Sequence, residues 1–133
     1  MDFTFHMPVR VISGKGCVRQ NGQLLRSLGK SCLIMTGKNS ARQSGALEDI
    51  MQTLENVGVE FTIYPKITAN PLLSSCCEAA EAARLCGADF IIGIGGGSVM
   101  DAAKASAWLA SNDTAAGEQL MQGRLRHAPL PLV

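Results

Sequence analysis

A chain of 133 residues with 47% hydrophobic and 17% charged side chains has the material for one packed domain, which excludes a disordered segment. Twelve Lys and Arg against eleven Asp and Glu leave a formal net charge of +1, with 5% aromatics, so neither a basic stripe nor a stacking surface for nucleic acid is present. The longest apolar runs are too short to span a membrane, and the N-terminus lacks a basic stretch followed by an apolar one, so a soluble, cytoplasmic protein off the membrane is expected.

Phe3 to Ile12 reads as extended, broken by Pro8, and Gly14-Lys15-Gly16 as a turn. Cys17 to Leu28 has helical spacing and stops at Gly29, a C-cap. Cys32 to Thr36 is a short apolar run expected as a buried strand, followed by a polar loop over 37–44. Leu47, Ile50, Met51, Leu54 and Val57 recur at steps of three and four, an amphipathic helix ended by Gly58. Val59 to Tyr64 is the next strand and 65–71 a loop. An alanine-rich helix runs from Ser74 or Ser75 to Cys86, ahead of Gly87. Asp89 to Ile94 is the most strand-like run, three glycines follow it, and Val99 to Ala110 is helical up to a stop at Asn112-Asp113. Pro129 to Val133 looks like the start of one more strand. The order β-α-β-α-β-α-β-α predicts an α/β fold, a Rossmann-like parallel sheet with helices on both faces, which binds ligands beyond the carboxyl ends of its strands.

Five cysteines (Cys17, Cys32, Cys76, Cys77 and Cys86) form no CxxC pair, and are expected to be reduced thiols acting as small hydrophobes. The two histidines, His6 and His127, form no HxxxH and stand near no clustered carboxylates, so no metal ligand is assigned. His127, in the polar stretch Arg124-Leu125-Arg126-His127, is expected at the surface.

The chemistry sits in Gly93-Ile94-Gly95-Gly96-Gly97-Ser98-Val99-Met100-Asp101-Ala102-Ala103-Lys104. A strand running into glycines and then a helix lets backbone N–H groups and the positive helix end approach an anion, and a diphosphate suits them. The spacing is neither GxGxxG nor a Walker A loop. Ser98 has two readings, N-cap or diphosphate ligand, and Asp101 resembles the acidic partner of a capping box. For Lys104 the plainer reading, an ion pair with Asp101 one turn away, comes first.

The longer string GGGSVMDAAK, after Ala88 to Ile94, closely resembles the signature of the iron-containing (group III) alcohol dehydrogenases. Pro8 with Gly14-Lys15-Gly16, Leu33 to Lys38, Ser44-Gly45-Ala46-Leu47, Asn70-Pro71 and Pro131-Leu132-Val133 resemble other stretches of that family, in order, from about residue 8 to the end. The resemblance implies the N-terminal dinucleotide-binding domain, of the dehydroquinate synthase-like type, over 1–133. It would be incomplete at its C-terminus, with the helical metal-binding domain absent. It further implies hydride transfer between an alcohol or aldehyde and NAD or NADP at Fe2+ or Zn2+, held by later residues, so this fragment by itself would be inactive and no catalytic residue is assigned. Gly95, Gly96, Gly97 and Ser98 would hold the cofactor diphosphate, Asp101 would lie on the nicotinamide side, and Asn70 would line the cleft, although a turn residue before Pro71 is the plainer reading of Asn70. Many NAD-preferring relatives carry an aspartate at the position of Gly37. Here glycine with Lys38 beside it favours NADP, against the alternative of a tight-turn glycine and a solvated lysine. A glycerol dehydrogenase or dehydroquinate synthase-type relative, and a non-catalytic nucleotide-binding module, are the other readings. An unfinished sheet leaves an unpaired edge and an uncovered apolar face, so self-association into a homo-oligomer, or else marginal stability, is expected.

Overall fold

The computed structural model describes residues 2–112 and 126–133; Asp113 and Arg124-Leu125, named above, lie outside them. The strands are β1 (Ser31–Gly37), β2 (Glu60–Ile67) and β3 (Phe90–Ile94). The helices are α1 (Cys17–Gln20), α2 (Gly22–Leu28), α3 (Ser40–Gln43), α4 (Ala46–Val57), α5 (Leu73–Leu85) and α6 (Gly97–Ser111). The strands are parallel in the order β2-β1-β3, with Ile34 opposite both Ile63 and Ile92. Leu132 bridges to Ile91, and the Gly93 N–H donates to the Val133 carbonyl at 2.8 Å, so the last residues begin a fourth parallel strand beside β3.

The central strand β1 buries every residue from Cys32 to Thr36, as a strand covered on both faces must. Its side chains alternate between two cores. Leu33 and Met35, with Ile91 of β3, pack on the alanines of α5 and α6 (Ala79, Ala80, Ala83, Ala102, Ala103 and Ala107). Cys32 and Ile34, with Phe90 and Ile92, pack on Leu25 of α2 and Leu47, Ile50 and Leu54 of α4. Burying each such large aliphatic or aromatic side chain contributes about 1.5–3 kcal/mol relative to exposure. The chain passes from β1 to β2 over the α4 face, then returns across β1 to β3 over the α5 face. A right-handed crossover requires this change of face when the direction reverses.

Four features differ from the expectation. Phe3 to Ile12, the expected first strand, pairs with no strand among the described residues. The helix expected over 17–28 is interrupted at Asn21 (φ −112°), whose side chain donates to the Cys17 carbonyl at 2.7 Å. The 37–44 loop contains α3, with Ala41 buried. β2 runs on through Pro65 to Ile67. It is an edge strand whose register slips between Met35 and Gly37 of its neighbour, and at such an edge the missing proline N–H is tolerated.

Arg84 of α5 closes the C-terminus of α6. Its guanidinium donates to the carbonyls of Leu109, Ala110 and Asn112, placing a cation at the negative helix end. The Asn112 side chain then accepts from the N–H groups of Arg126 (3.1 Å) and His127 (3.0 Å), fixing where the chain re-enters the described structure.

Candidate functional site: an open glycine turn at the carboxyl edge

β1 and β3 are neighbours, yet the chain leaves them over opposite faces of the sheet. That divergence is the switch point of a doubly wound sheet, where the loops part and leave a crevice. The turn after β1 carries Gly37 and Lys38, and the turn after β3 carries Gly95 to Ser98. Asn70 follows β2 at the same edge. The topology thus gathers all the candidate residues on one side of the sheet.

The glycines of the β3–α6 turn divide into two kinds. A Cβ on Gly93 would stand 3.2 Å from Ala103 Cβ, so this glycine lets α6 lie close on β3. Gly95 has φ +157°, and a Cβ there would meet Val99 Cγ2 at 2.6 Å. Both are demanded by packing. Gly96 and Gly97 are different: a Cβ on either would meet nothing within 4 Å. Gly96 is the N-cap of α6, and no side chain caps it. Among the described residues no hydrogen bond uses the N–H groups of Gly96, Gly97 or Ser98. Donors at a helix start, uncapped and with open space before them, suit an anionic oxygen.

Ser98 is therefore not the N-cap. It is the second residue of α6 and half-buried, and the expected capping box with Asp101 does not form. The helix starts earlier because Gly96 itself takes the extended N-cap conformation (φ −84°, ψ −165°). The hydroxyl is thereby left out of capping. Asp101 is exposed and lies 3.7 Å from Lys104 Nζ, the plain ion pair expected for Lys104. Val99, which sequence reasoning passed over, is a positioning residue: buried under the turn, it packs against both Gly93 and Gly95. Its signal in the sequence is only a β-branched residue on the apolar side of the first helical turn.

Gly37 is not a tight-turn glycine. It ends β1 opposite Ile67, without a positive φ, and a Cβ would sit in ordinary contact with the Ile67 carbonyl at 3.5 Å. A larger side chain fits there, so what glycine contributes is the absence of a carboxylate. Lys38 is exposed, and no carboxylate among the described residues pairs with it. Asn70 is exposed with φ 56°, left-handed just before Pro71. Asn tolerates that region better than other non-glycine residues, which fits the turn expected before Pro71.

Burial pushes the Cys32 thiol up to about 12, with Cys86 adding to the effect. Burial and then Cys77 also raise Cys76, against a hydrogen bond with Ser106 that lowers it. Both are neutral at physiological pH and act as small hydrophobes, not nucleophiles. Among the described residues no three His, Cys, Asp or Glu side chains come together as metal donors, so the residues present do not fit the iron of the resemblance. His127 is exposed, as expected. No helix among the described residues is long and apolar enough to cross a membrane. A groove of about 690 Å³ lies elsewhere, between the N-terminal segment and α1–α2, lined in part by Val9, Arg10, Cys17, Asn21 and Leu24. It shares no residue with the glycine turn, which is an open surface.

A parallel sheet with a switch point and an uncapped glycine turn defines the class: a doubly wound α/β domain. The chain belongs to the iron-containing alcohol dehydrogenase family, whose model matches residues 8–133. It is 39% identical over 88 residues to the long-chain primary alcohol dehydrogenase AdhA of Thermoanaerobacter ethanolicus, covering 65% of this chain and 22% of that one. It is 26% identical over 132 residues to the NADH-dependent butanol dehydrogenase B of Clostridium acetobutylicum, covering 99% and 34%. A crystal structure of an iron-containing alcohol dehydrogenase from Thermotoga maritima superposes with a TM-score of 0.89 at 32% identity, covering 98% of this chain and 36% of that one. The matches span from about a fifth to about a third of the length of these relatives.

Proposed function

We propose that this chain is the dinucleotide-binding portion of an NAD(P)-dependent alcohol dehydrogenase, and that the turn from Gly95 to Ser98 holds the cofactor diphosphate. The carrying observation is the open pair Gly96 and Gly97, followed by uncapped first-turn N–H groups at the switch point of the sheet. In this reading the N–H groups of Gly97 and Ser98 and the Ser98 hydroxyl donate to diphosphate oxygens, and Val99 keeps the turn in shape from below. Asp101 stands one turn further on, toward the nicotinamide, and Asn70 lines the cleft from the β2 side. The bound nicotinamide supplies the hydride acceptor or donor for an alcohol or aldehyde. The described residues bind and orient that cofactor, and the chain by itself is proposed to turn over no alcohol.

Gly37 and Lys38 support acceptance of NADP. An aspartate at position 37 would repel a 2′-phosphate, whereas here the carboxylate is missing and a cation stands beside the gap. The butanol dehydrogenase relative named above is NADH-dependent, so the preference is put to the test directly. Calorimetric titration of the chain with NAD and with NADP is expected to show binding of both, tighter for NADP, and loss of both in Gly97→Asp. A folded chain that binds neither, or a Gly97→Asp variant that binds as well as the wild type, would overturn the assignment. Gly37→Asp is expected to weaken NADP by about tenfold more than NAD, the effect of one added charge near a phosphate at the protein surface.

A further inference from the structure

Three polar side chains are buried among the described residues: Thr36, Thr53 and Ser106. Two of them serve helices. The Thr53 hydroxyl donates to the Asp49 carbonyl within α4, and the Ser106 hydroxyl donates from α6 to the Cys76 carbonyl of α5. Thr36 is different. It is the last residue of β1 that pairs with β3, opposite Ile94, and its hydroxyl donates to the carbonyl of the next residue, Gly37, at 2.8 Å.

That carbonyl would otherwise belong to the β1–β3 ladder. In a strand the backbone groups of successive residues point alternately to its two neighbours. Glu60 of β2 donates to the Lys30 carbonyl, and Ile91 and Gly93 of β3 donate away from β1, to Pro131 and Val133. The carbonyls of Leu33, Met35 and Gly37 therefore face β3, and the N–H groups of Ile92, Ile94 and Gly96 face β1. In the register that sets Thr36 against Ile94, the next donor for the Gly37 carbonyl is the Gly96 N–H. Among the described residues no such hydrogen bond forms. The chain turns away at Gly95 (φ +157°), and the Thr36 hydroxyl occupies the carbonyl instead.

We propose that Thr36 is a positioning residue for the cofactor turn: by holding the Gly37 carbonyl, it ends the β1–β3 ladder at Ile94 and leaves the Gly96 N–H for an anion. This inference rests on the reading of Gly95 to Ser98 as the diphosphate turn. The one hydrogen bond has two effects. A bare carbonyl at the head of the crevice would compete with the ligand for the Gly96 N–H. Its oxygen would also present partial negative charge to an incoming diphosphate in a place where an unpaired acceptor is costly. The buried hydroxyl removes both.

Valine fills nearly the same space without a donor, so Thr36→Val isolates the hydroxyl and Thr36→Ser restores it. Amide hydrogen exchange of the isotope-labelled 133-residue chain, read by NMR, follows Gly96 without any cofactor. The wild-type Gly96 amide is expected to exchange freely. In Thr36→Val it is expected to slow by about tenfold as it pairs with the Gly37 carbonyl, while the Leu33 and Ile92 amides stay as protected as before. Calorimetric titration of Thr36→Val is expected to show the dissociation constants of NAD and NADP both raised by about tenfold, with their ratio unchanged. In Thr36→Ser both are expected to return to within about threefold of the wild type. A Gly96 amide that exchanges alike in wild type and Thr36→Val overturns the proposal. So does wild-type cofactor affinity in Thr36→Val, a Thr36→Ser variant as weak as Thr36→Val, or faster exchange of Leu33 and Ile92, which would make Thr36 a packing residue only. A wild type that binds neither cofactor overturns the diphosphate reading by itself, and the exchange of Gly96 then decides the role of Thr36.

Discussion

At the amino edge of the sheet, Gly29 makes room for the protein's own carboxylate. A Cβ there would stand 2.2 Å from Asp89 Cβ, and Asp89 Oδ2 accepts from the N–H groups of Lys30 (2.7 Å) and Ser31 (3.2 Å). At the carboxyl edge, Gly96 and Gly97 face open space, and the N–H groups beside them have no internal acceptor among the described residues. Both places combine glycine with backbone donors suited to an anion. One is filled from within and ties β1 to β3; the other is left for a ligand. A glycine's role is therefore decided by what its missing Cβ would have touched.

Substitutions at the two edges should separate these roles. Gly29→Ala is expected to cost about 3 kcal/mol, since the clash is with an atom fixed to the backbone of β3's approach and cannot be relieved by a rotamer change. Thermal unfolding followed by circular dichroism reads the loss, and a variant as stable as the wild type would mean that this edge is not closed. Gly95→Ala is expected to cost about 2 kcal/mol through the Val99 contact and the positive φ, again as a lower melting temperature. Asp89→Ala keeps the space but removes the acceptor, and about 1 kcal/mol is expected from two donors near solvent. At the open edge, Gly97→Ala should change stability by no more than about 0.5 kcal/mol while weakening NAD(P) titration. A large loss of stability there would show that the turn serves packing after all.

The buried core makes a pH prediction. Cys32 is raised from 9.0 to about 12 by burial. Tyr64 is raised from 10.0 to about 12 by burial and then by its hydrogen bond to Glu78. For each, the folded state holds its proton more tightly than the unfolded state. This contribution to stability is whole below about pH 9 and is lost as pH climbs from 9 toward 12. Urea unfolding at pH 7.5, 9 and 10 should show a falling midpoint only above pH 9, and Cys32→Ala should flatten that fall. Asp101→Asn is the smallest effect, below about 0.5 kcal/mol, because its ion pair with Lys104 is exposed at both partners.

Much of this was legible beforehand. The continuous apolar run of Cys32 to Thr36 announced a strand covered on both faces, and the three-and-four spacing from Leu47 to Val57, closed by Gly58 at φ +70°, announced α4 almost to the residue. Two places were not. Ser98 is a favoured N-cap residue, yet the cap falls on Gly96, because where a helix begins after a strand depends on how the turn clears Val99. Phe3 to Ile12 has the composition of a strand, but pairing needs a neighbour, and none lies within the described part of the chain.

The sequence by itself determined the alternation of strands and helices, the parallel sheet that follows from it, and the glycine turn at the end of β3. These rest on local periodicity and on turn residues, which act over a few positions. Only the tertiary structure decided which glycines are packed and which are open, that Gly37 is free to carry a side chain, and that β1 and β3 are the neighbours between which the crevice lies. Those depend on contacts between segments up to about 60 residues apart, such as Gly29 with Asp89, and no local pattern carries that distance.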